Sequence, residues 1–329
     1  MFGLRSICTA AAWLVAGLSC VDARNFQNPL KNPNGSDPFI VYTGGYFYLL
    51  TTTWTNIQIT RATTLAGLKT ASPTTVWTDS TASRAGNFWA PEVHWLDNKW
   101  WLYYTAGTAT CCGGQRMHVL EGGTSVLDKY VYKRALESGV WGIDGSILRF
   151  PSAYYLVWSR FSPSGKQSLY IAKMSNPYTI GTPYLLSEPT NSWEIVGSPV
   201  NEGPAALYGG GKTMVVFSAS YCWTSSYQLG MLTYKGSGDP LTGSNWTKKG
   251  PVFKGANGNY GAGHNGFFSS PDGTETWNVY HATANSAGAC DGNRYTMAQK
   301  VNWNSDGTPN FGSPPALSAT LTGPSGEPA

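Results

Sequence analysis

Polar, titratable residues that could act as a general acid and a general base, four carboxylates and a histidine, recur along this chain at nearly even steps. Asp37, Glu92, Asp144, Glu202 and His264 stand 55, 52, 58 and 62 residues apart. Carboxylates of unequal pKa, set opposite one another across a gap, are what acid–base hydrolysis of an acetal needs. One gives a proton to the leaving oxygen and the other takes a proton from the attacking water. Any one of the five could be a turn or capping residue. Together they fall in phase with a longer repeat, and only a fold that brings that phase to one axis would turn them into a site.

The elements that would position them are strands. Short apolar, aromatic-rich runs at 46–50, 100–104, 154–158, 213–217 and 277–281 each follow one of the five polar residues by eight to thirteen positions. Gly, Asn, Asp and Pro clusters separate the runs, and no stretch of helical period interrupts them. A repeat of this length fits a four-stranded propeller blade. Five repeats predict an all-β, five-bladed β-propeller, in which equivalent positions of the innermost strands face a central channel.

Composition agrees with a turn-rich β protein. Charged residues make up 12% and aromatic residues 14% of the chain, with 39 Gly and 14 Trp. The formal net charge is +4 without a basic cluster, which excludes an electrostatic footprint for nucleic acid. An apolar run over 7–20 follows Arg5 and ends before Val21-Asp-Ala23, the pattern of a secretory leader. It is shorter than the ~20 residues of a membrane span. The expected layout is therefore a leader over 1–23, a catalytic propeller over 24–315 and a flexible tail over 316–329, secreted, monomeric and without a membrane partner.

Removing Cys8 and Cys20 with the leader leaves four cysteines, which allow three pairings. Cys222 with Cys290 is the preferred bridge. Cys111 and Cys112 then form a vicinal disulfide or pair with the other two across loops. Two sequons, at Asn34 and Asn245, offer sites for glycans if exposed, the second being the better candidate.

The motifs Gly35-Ser-Asp-Pro-Phe39, Trp89-Ala-Pro-Glu92, Ile143-Asp-Gly145, Asn201-Glu-Gly-Pro204 and Gly263-His-Asn265, taken in this order, resemble those of glycoside hydrolase family 43. The likeness runs from Asn28 to about Gly312, and within the family it is nearest to secreted exo-acting α-1,5-L-arabinofuranosidases. It implies Asp37 as general base, Glu202 as general acid and Asp144 as the carboxylate that orients the acid and adjusts its pKa. Inversion at the anomeric carbon follows from the same resemblance. It also implies that Arg294 contacts sugar, that no cofactor is required, and that a water-surrounded calcium ion can sit beside His264. The third motif reads Asp-Gly where many relatives have Asp-Pro, a change expected to alter the loop more than the chemistry.

An arabinan chain as partner calls for aromatic platforms. Trp89 and Trp158 are the first candidates, with Trp54 and Phe39 behind them. Glu92 either contacts sugar hydroxyls or ties its blade to the next. Loops 105–123 and 284–295 are the ones able to close a groove into an exo-acting pocket. Endo-arabinanase, β-xylosidase or galactan-degrading activity on the same scaffold, or a lectin-like propeller that binds without cutting, are the competing expectations.

Overall fold

The computed structural model describes residues 24–328, so the leader expected over 1–23 lies outside the described residues. Five antiparallel sheets form the blades. The first contains strands Phe39–Thr43, Tyr46–Leu50, Ile57–Ala62 and Pro73–Trp77, and the second Gly86–Leu96, Lys99–Gly107, Arg116–Glu121 and Val131–Ala135. In the third, Ile143–Phe150, Ala153–Phe161 and Gln167–Asn176 are followed by an outer edge split between Thr179–Ile180 and Tyr184–Ser187. The fourth has Asn201–Gly209, Lys212–Ala219, Gln228–Tyr234 and Trp246–Phe253, and the fifth Tyr260–Ser269, Thr276–Thr283 and Tyr295–Lys300.

The outer edge of this three-stranded fifth blade is covered by the N-terminal end of the described chain, through an antiparallel bridge between Lys31 and Thr296. Leu30 N–H donates to Thr296 O at 2.8 Å and Thr296 N–H donates to Lys31 O at 2.9 Å. The Asn28 carboxamide extends this ladder by bonding both the carbonyl and the N–H of Ala298, at 3.0 and 2.9 Å. First and last blades are thereby joined, which closes the ring and removes a sheet edge.

Each blade exposes two apolar faces, and five buried clusters fill the five junctions between blades. Leu50, Ile59, Phe88 and Tyr104 knit the first blade to the second, while Phe47, Leu49, Phe268 and Val279 knit the fifth to the first. The aromatic runs legible in the sequence are the second strands of the blades, whose alternate side chains enter the two flanking junctions.

The tail departs from expectation. Instead of a flexible segment, 316–328 packs back on the propeller: Leu321–Thr322 pairs with Asn25–Phe26, and the buried Glu327 carboxylate accepts the N–H of Leu65 at 2.8 Å. That contact adds to the cap of the short helix Leu65–Leu68, where the Thr64 hydroxyl already accepts the N–H of Gly67 at 3.1 Å. Burial raises the Glu327 carboxyl to about 7, against the opposing pull of the Leu65 N–H and Arg24. Since the folded value lies above the unfolded one, the stabilisation is complete at acid pH and is lost as pH rises to about 7. On moving from acid pH to above 8, the wild type is expected to lose on the order of 1–2 kcal/mol more than Glu327→Gln. Melting temperatures of the two proteins across that range test this.

Candidate active site

One local device, repeated five times, builds the top of the channel. Asp37, Ala90, Asp144, Gly203 and His264 all have left-handed backbones, with φ of 52°, 43°, 59°, 53° and 44°. In blades two to five the residue sits in a bulge, where the pairing slips between Trp89 and Glu92, Ile143 and Ser146, Glu202 and Ala205, and Gly263 and Gly266. A bulge of this kind bends the strand and re-aims the side chains beside it. Side chains at or just before the bend enter the upper pocket, whereas those two places later point down the channel. Gly203 is required at its bend because a Cβ there would stand 3.0 Å from the His264 ring.

The bends are stitched across the blade junctions. Opposite each bend, near or just past the end of the second strand, stands Thr52, Thr105, Ser159, Ser218 or His281. Thr52 Oγ1 accepts the N–H of Ala90 at 2.9 Å, Thr105 Oγ1 that of Asp144 at 3.1 Å, and Ser218 Oγ that of His264 at 2.6 Å. Ser159 donates instead to Asn201 O at 2.7 Å. His281 Nδ1 lies 3.1 Å from the Asp37 N–H and closes the circle. Every left-handed bend thus has its N–H facing a side chain of the preceding blade, one near the end of the second strand in each case but Gly203. The backbone of Gly203 bonds to the Asp144 carboxylate at 3.0 Å instead.

Asp37, Asp144, Glu202 and His264 come together as the sequence predicted. Asp37 Oδ1 lies 3.2 Å from His264 Nδ1 and 3.3 Å from Arg294 Nη1, and Oδ2 accepts the Thr52 hydroxyl at 2.6 Å. Burial alone would raise this carboxyl, but Arg294, His264 and His281 more than offset it and hold Asp37 well below the usual carboxylate range. The opposite bias applies across the pocket. Burial raises Asp144 to about 7, with Glu202 and Asp37 adding to it, and Glu202 is raised as well. Asp144 and Glu202 behave as one buried pair that keeps a proton near neutrality. Glu202 receives hydrogen bonds from Tyr227 Oη and Gln167 Nε2, both at 2.8 Å. Despite burial, the three carboxylates raise His264, Asp37 being the largest contributor.

These groups form the floor of a cavity of about 440 Å³, a size suited to a small ligand. Trp54 and Trp89 stand edge to face, 6.1 Å apart, on one wall. Both loops expected to close the pocket contribute to it, through Cys111 and Cys112 on one side and Cys290 and Asp291 on the other. The disulfides are Cys111–Cys112 and Cys222–Cys290.

Three expected sugar contacts are elsewhere. Phe39 and Glu92 each lie two residues beyond a left-handed bend and line a separate cavity of about 290 Å³ lower in the channel, with Ser146, Ala205 and Gly266 at the equivalent positions. Glu92 pairs there with His94 at 2.8 Å. Trp158 is fully buried with Trp101, Tyr103 and Leu156 between the second and third blades, because its face of the strand meets that junction. Conversely, sequence reading missed Gln167 and Tyr227, which hold Glu202, and Trp141 and the half-exposed Trp223, which line the pocket. At the sequons, Asn34 is exposed, whereas Asn245, the preferred candidate, is half-buried and donates to Asp239 O at 3.0 Å.

Comparison with known proteins agrees with this geometry. Residues 26–309 match the family described as Glycosyl hydrolases family 43. The chain is 41% identical over 90% of its length to a Streptomyces avermitilis protein named extracellular exo-α-(1→5)-L-arabinofuranosidase, of which it spans 65%. A Streptomyces chartreusis protein of the same name is 33% identical over 78% of this chain and 82% of its own length. The crystal structure of an α-L-arabinofuranosidase from Lactobacillus brevis superposes with a TM-score of 0.83 at 33% identity, covering 89% of this chain and 98% of that one. The repeated blades, the axial carboxylates and this family-wide match place the chain in glycosyl hydrolase family 43.

Proposed function

We propose that this protein is an extracellular, exo-acting α-L-arabinofuranosidase that releases L-arabinose from α-1,5-linked arabinan with inversion. The observation that carries the reading is the opposite bias of buried carboxylates on one pocket floor: Asp37 is held ionised while the Asp144–Glu202 pair retains a proton. A module that only binds sugar has no need of that contrast. The substrate rests on the names of the relatives, two of which also include the word extracellular. Exo action is supported by the loops that wall the pocket.

In this reading the terminal furanose sits over the carboxylates, between Trp54 and Trp89 on one side and Trp141 and Trp223 on the other. Glu202 gives its proton to the glycosidic oxygen as the bond to the anomeric carbon breaks and the electron pair leaves with that oxygen. A water on the opposite face forms the new bond and loses its proton to Asp37. Asp144 fixes the strand bearing Glu202 through the Gly203 N–H and discourages early loss of the acid's proton. Tyr227 suits either state of Glu202, since a hydroxyl can donate to the carboxylate or rotate to accept from the acid.

A calcium ion beside His264 would meet Asp144, Glu202 and His264, which place three possible ligand atoms within 4.8 Å of one another. His264 turns Nδ1 to Asp37, and water would supply most of the about six to eight oxygens that calcium takes. No step is assigned to a metal.

A time course on debranched α-1,5-arabinan, with the anomer of the product followed by NMR, tests the proposal. Arabinose alone, released first as the β-anomer, is expected. A ladder of oligosaccharides would make the enzyme endo-acting, and retained configuration would refute the roles given to Asp37 and Glu202.

A further inference from the structure

The stitch that holds the Asp37 bend differs in kind from the others. Three left-handed N–H groups are caught by a Thr or Ser hydroxyl, but Asp37 meets the imidazole of His281. His281 is 1% exposed, and its two ring nitrogens meet partners on opposite edges of the ring, a span that a hydroxyl lacks. Nδ1 lies 3.1 Å from the Asp37 N–H and 3.3 Å from its Oδ1, while Nε2 lies 3.3 Å from Arg294 Nη1. The ring is clamped from the side by Tyr227, stacked at 5.5 Å and 8°. Tyr227 in turn bonds Glu202 at 2.8 Å, so one aromatic pair joins the base to the acid.

We propose that His281 is a positioning residue for hydrolysis, holding the Asp37 carboxylate and the Arg294 guanidinium in a single arrangement so that the base and its counter-cation are placed together. The inference rests on the reading of Asp37 as the base. A ring with one N–H and one lone pair serves both partners in one tautomer. With the proton on Nδ1 it donates to Asp37 Oδ1 and Nε2 accepts from Arg294; with the proton on Nε2, Nδ1 would accept the Asp37 N–H but the Nε2–H would stand against the guanidinium. A doubly protonated ring would set an N–H against the guanidinium, and burial together with Arg294 lowers His281 to about 3. The remaining ionisable groups around the Asp37 carboxylate are His264, Asp144, Glu202 and Tyr227.

His281→Thr separates stitching from positioning. It restores the hydroxyl that Thr52 and Thr105 supply in other blades and removes the reach to Arg294. The variant is expected to keep its fold, to lose ~10–100-fold in kcat with a smaller change in KM, and to lose activity at a higher pH on the acid side than the wild type. That shift has a definite sign: freeing Arg294 and deleting the imidazole contact lets Asp37 protonate more readily. Unchanged kcat and an unchanged acid limb would reduce His281 to an ordinary stitch and overturn the proposal. If the variant fails to fold, ¹⁵N spectra of the wild-type imidazole decide the matter. A ring that stays uncharged from about pH 5 to 9 and whose signals move in Arg294→Lys supports the proposal; one that titrates in that range, or ignores Arg294→Lys, sinks it. Asp37→Asn run alongside keeps the two ideas distinct. An active Asp37→Asn means that the base is misassigned, whereas an inactive one beside an unaffected His281→Thr removes only the positioning role.

Discussion

Glu202→Gln lowers kcat on linear α-1,5-arabinan by ~10³-fold or more while leaving the melting temperature close to that of the wild type. The amide has the same shape and can still meet Tyr227 and Gln167, so the packing around position 202 has little reason to change. What it lacks is a proton of suitable acidity for the leaving oxygen. The loss should therefore depend on the leaving group. An aryl arabinofuranoside such as the 4-nitrophenyl compound leaves as a stabilised phenolate and needs little protonation, so its kcat should fall far less than that of arabinan. Equal losses on both substrates would take the acid role away from Glu202, and wild-type turnover on arabinan would exclude the residue from catalysis.

The sequence revealed the repeat better than the register within it. Aromatic second strands and evenly spaced polar residues were enough for five blades, because burying two faces per blade imposes a period on composition. The bulges were not legible, since a left-handed residue can be Asp, Ala, Gly or His, as it is here. Trp89-Ala-Pro-Glu92 shows the consequence. The residue equivalent to Asp37 and Asp144 is Ala90, which carries no chemistry, so Glu92 is directed two places down the channel beside Phe39. Glu202 lies one place before the bend in its blade, the position that Trp89 occupies in the second, and that explains why Trp89 reached the pocket while Glu92 did not. A second in-phase series, Thr52, Thr105, Ser159, Ser218 and His281, was present in the sequence all along. Small hydroxyl residues at strand ends are too common to stand out, and the histidine that breaks the series gains meaning only beside Arg294. Gln167 and Tyr227 follow no repeat, since each serves one carboxylate.

Asp144→Asn is expected to pull in the alkaline limb of the kcat/KM profile by ~1–2 pH units and to lower kcat by ~10²-fold. The Asp144 carboxylate accepts the Gly203 N–H at 3.0 Å, and an amide oxygen can keep that bond, so the strand carrying Glu202 should hold its course. The change is electrostatic. In the wild type the buried pair holds one proton, with Asp144 raised to about 7 chiefly by burial, and a second negative charge beside it is disfavoured. Neutral Asn removes the like charge, and Glu202 then ionises more easily. A general acid works only below its pKa, so activity that persists to a given pH in the wild type disappears earlier in the variant. The acid limb reports Asp37 and should not move upward, because deleting a nearby negative charge favours the ionised form of the base no more than Arg294 already does. The profile is thus expected to narrow from one side only. Stability adds a second check: without a buried carboxyl that resists ionisation, the variant should melt higher than the wild type at alkaline pH. An alkaline limb that stays in place would mean that Asp144 has no hold on the acid's proton, and a limb that moves upward would mean that the working proton had resided on Asp144 itself.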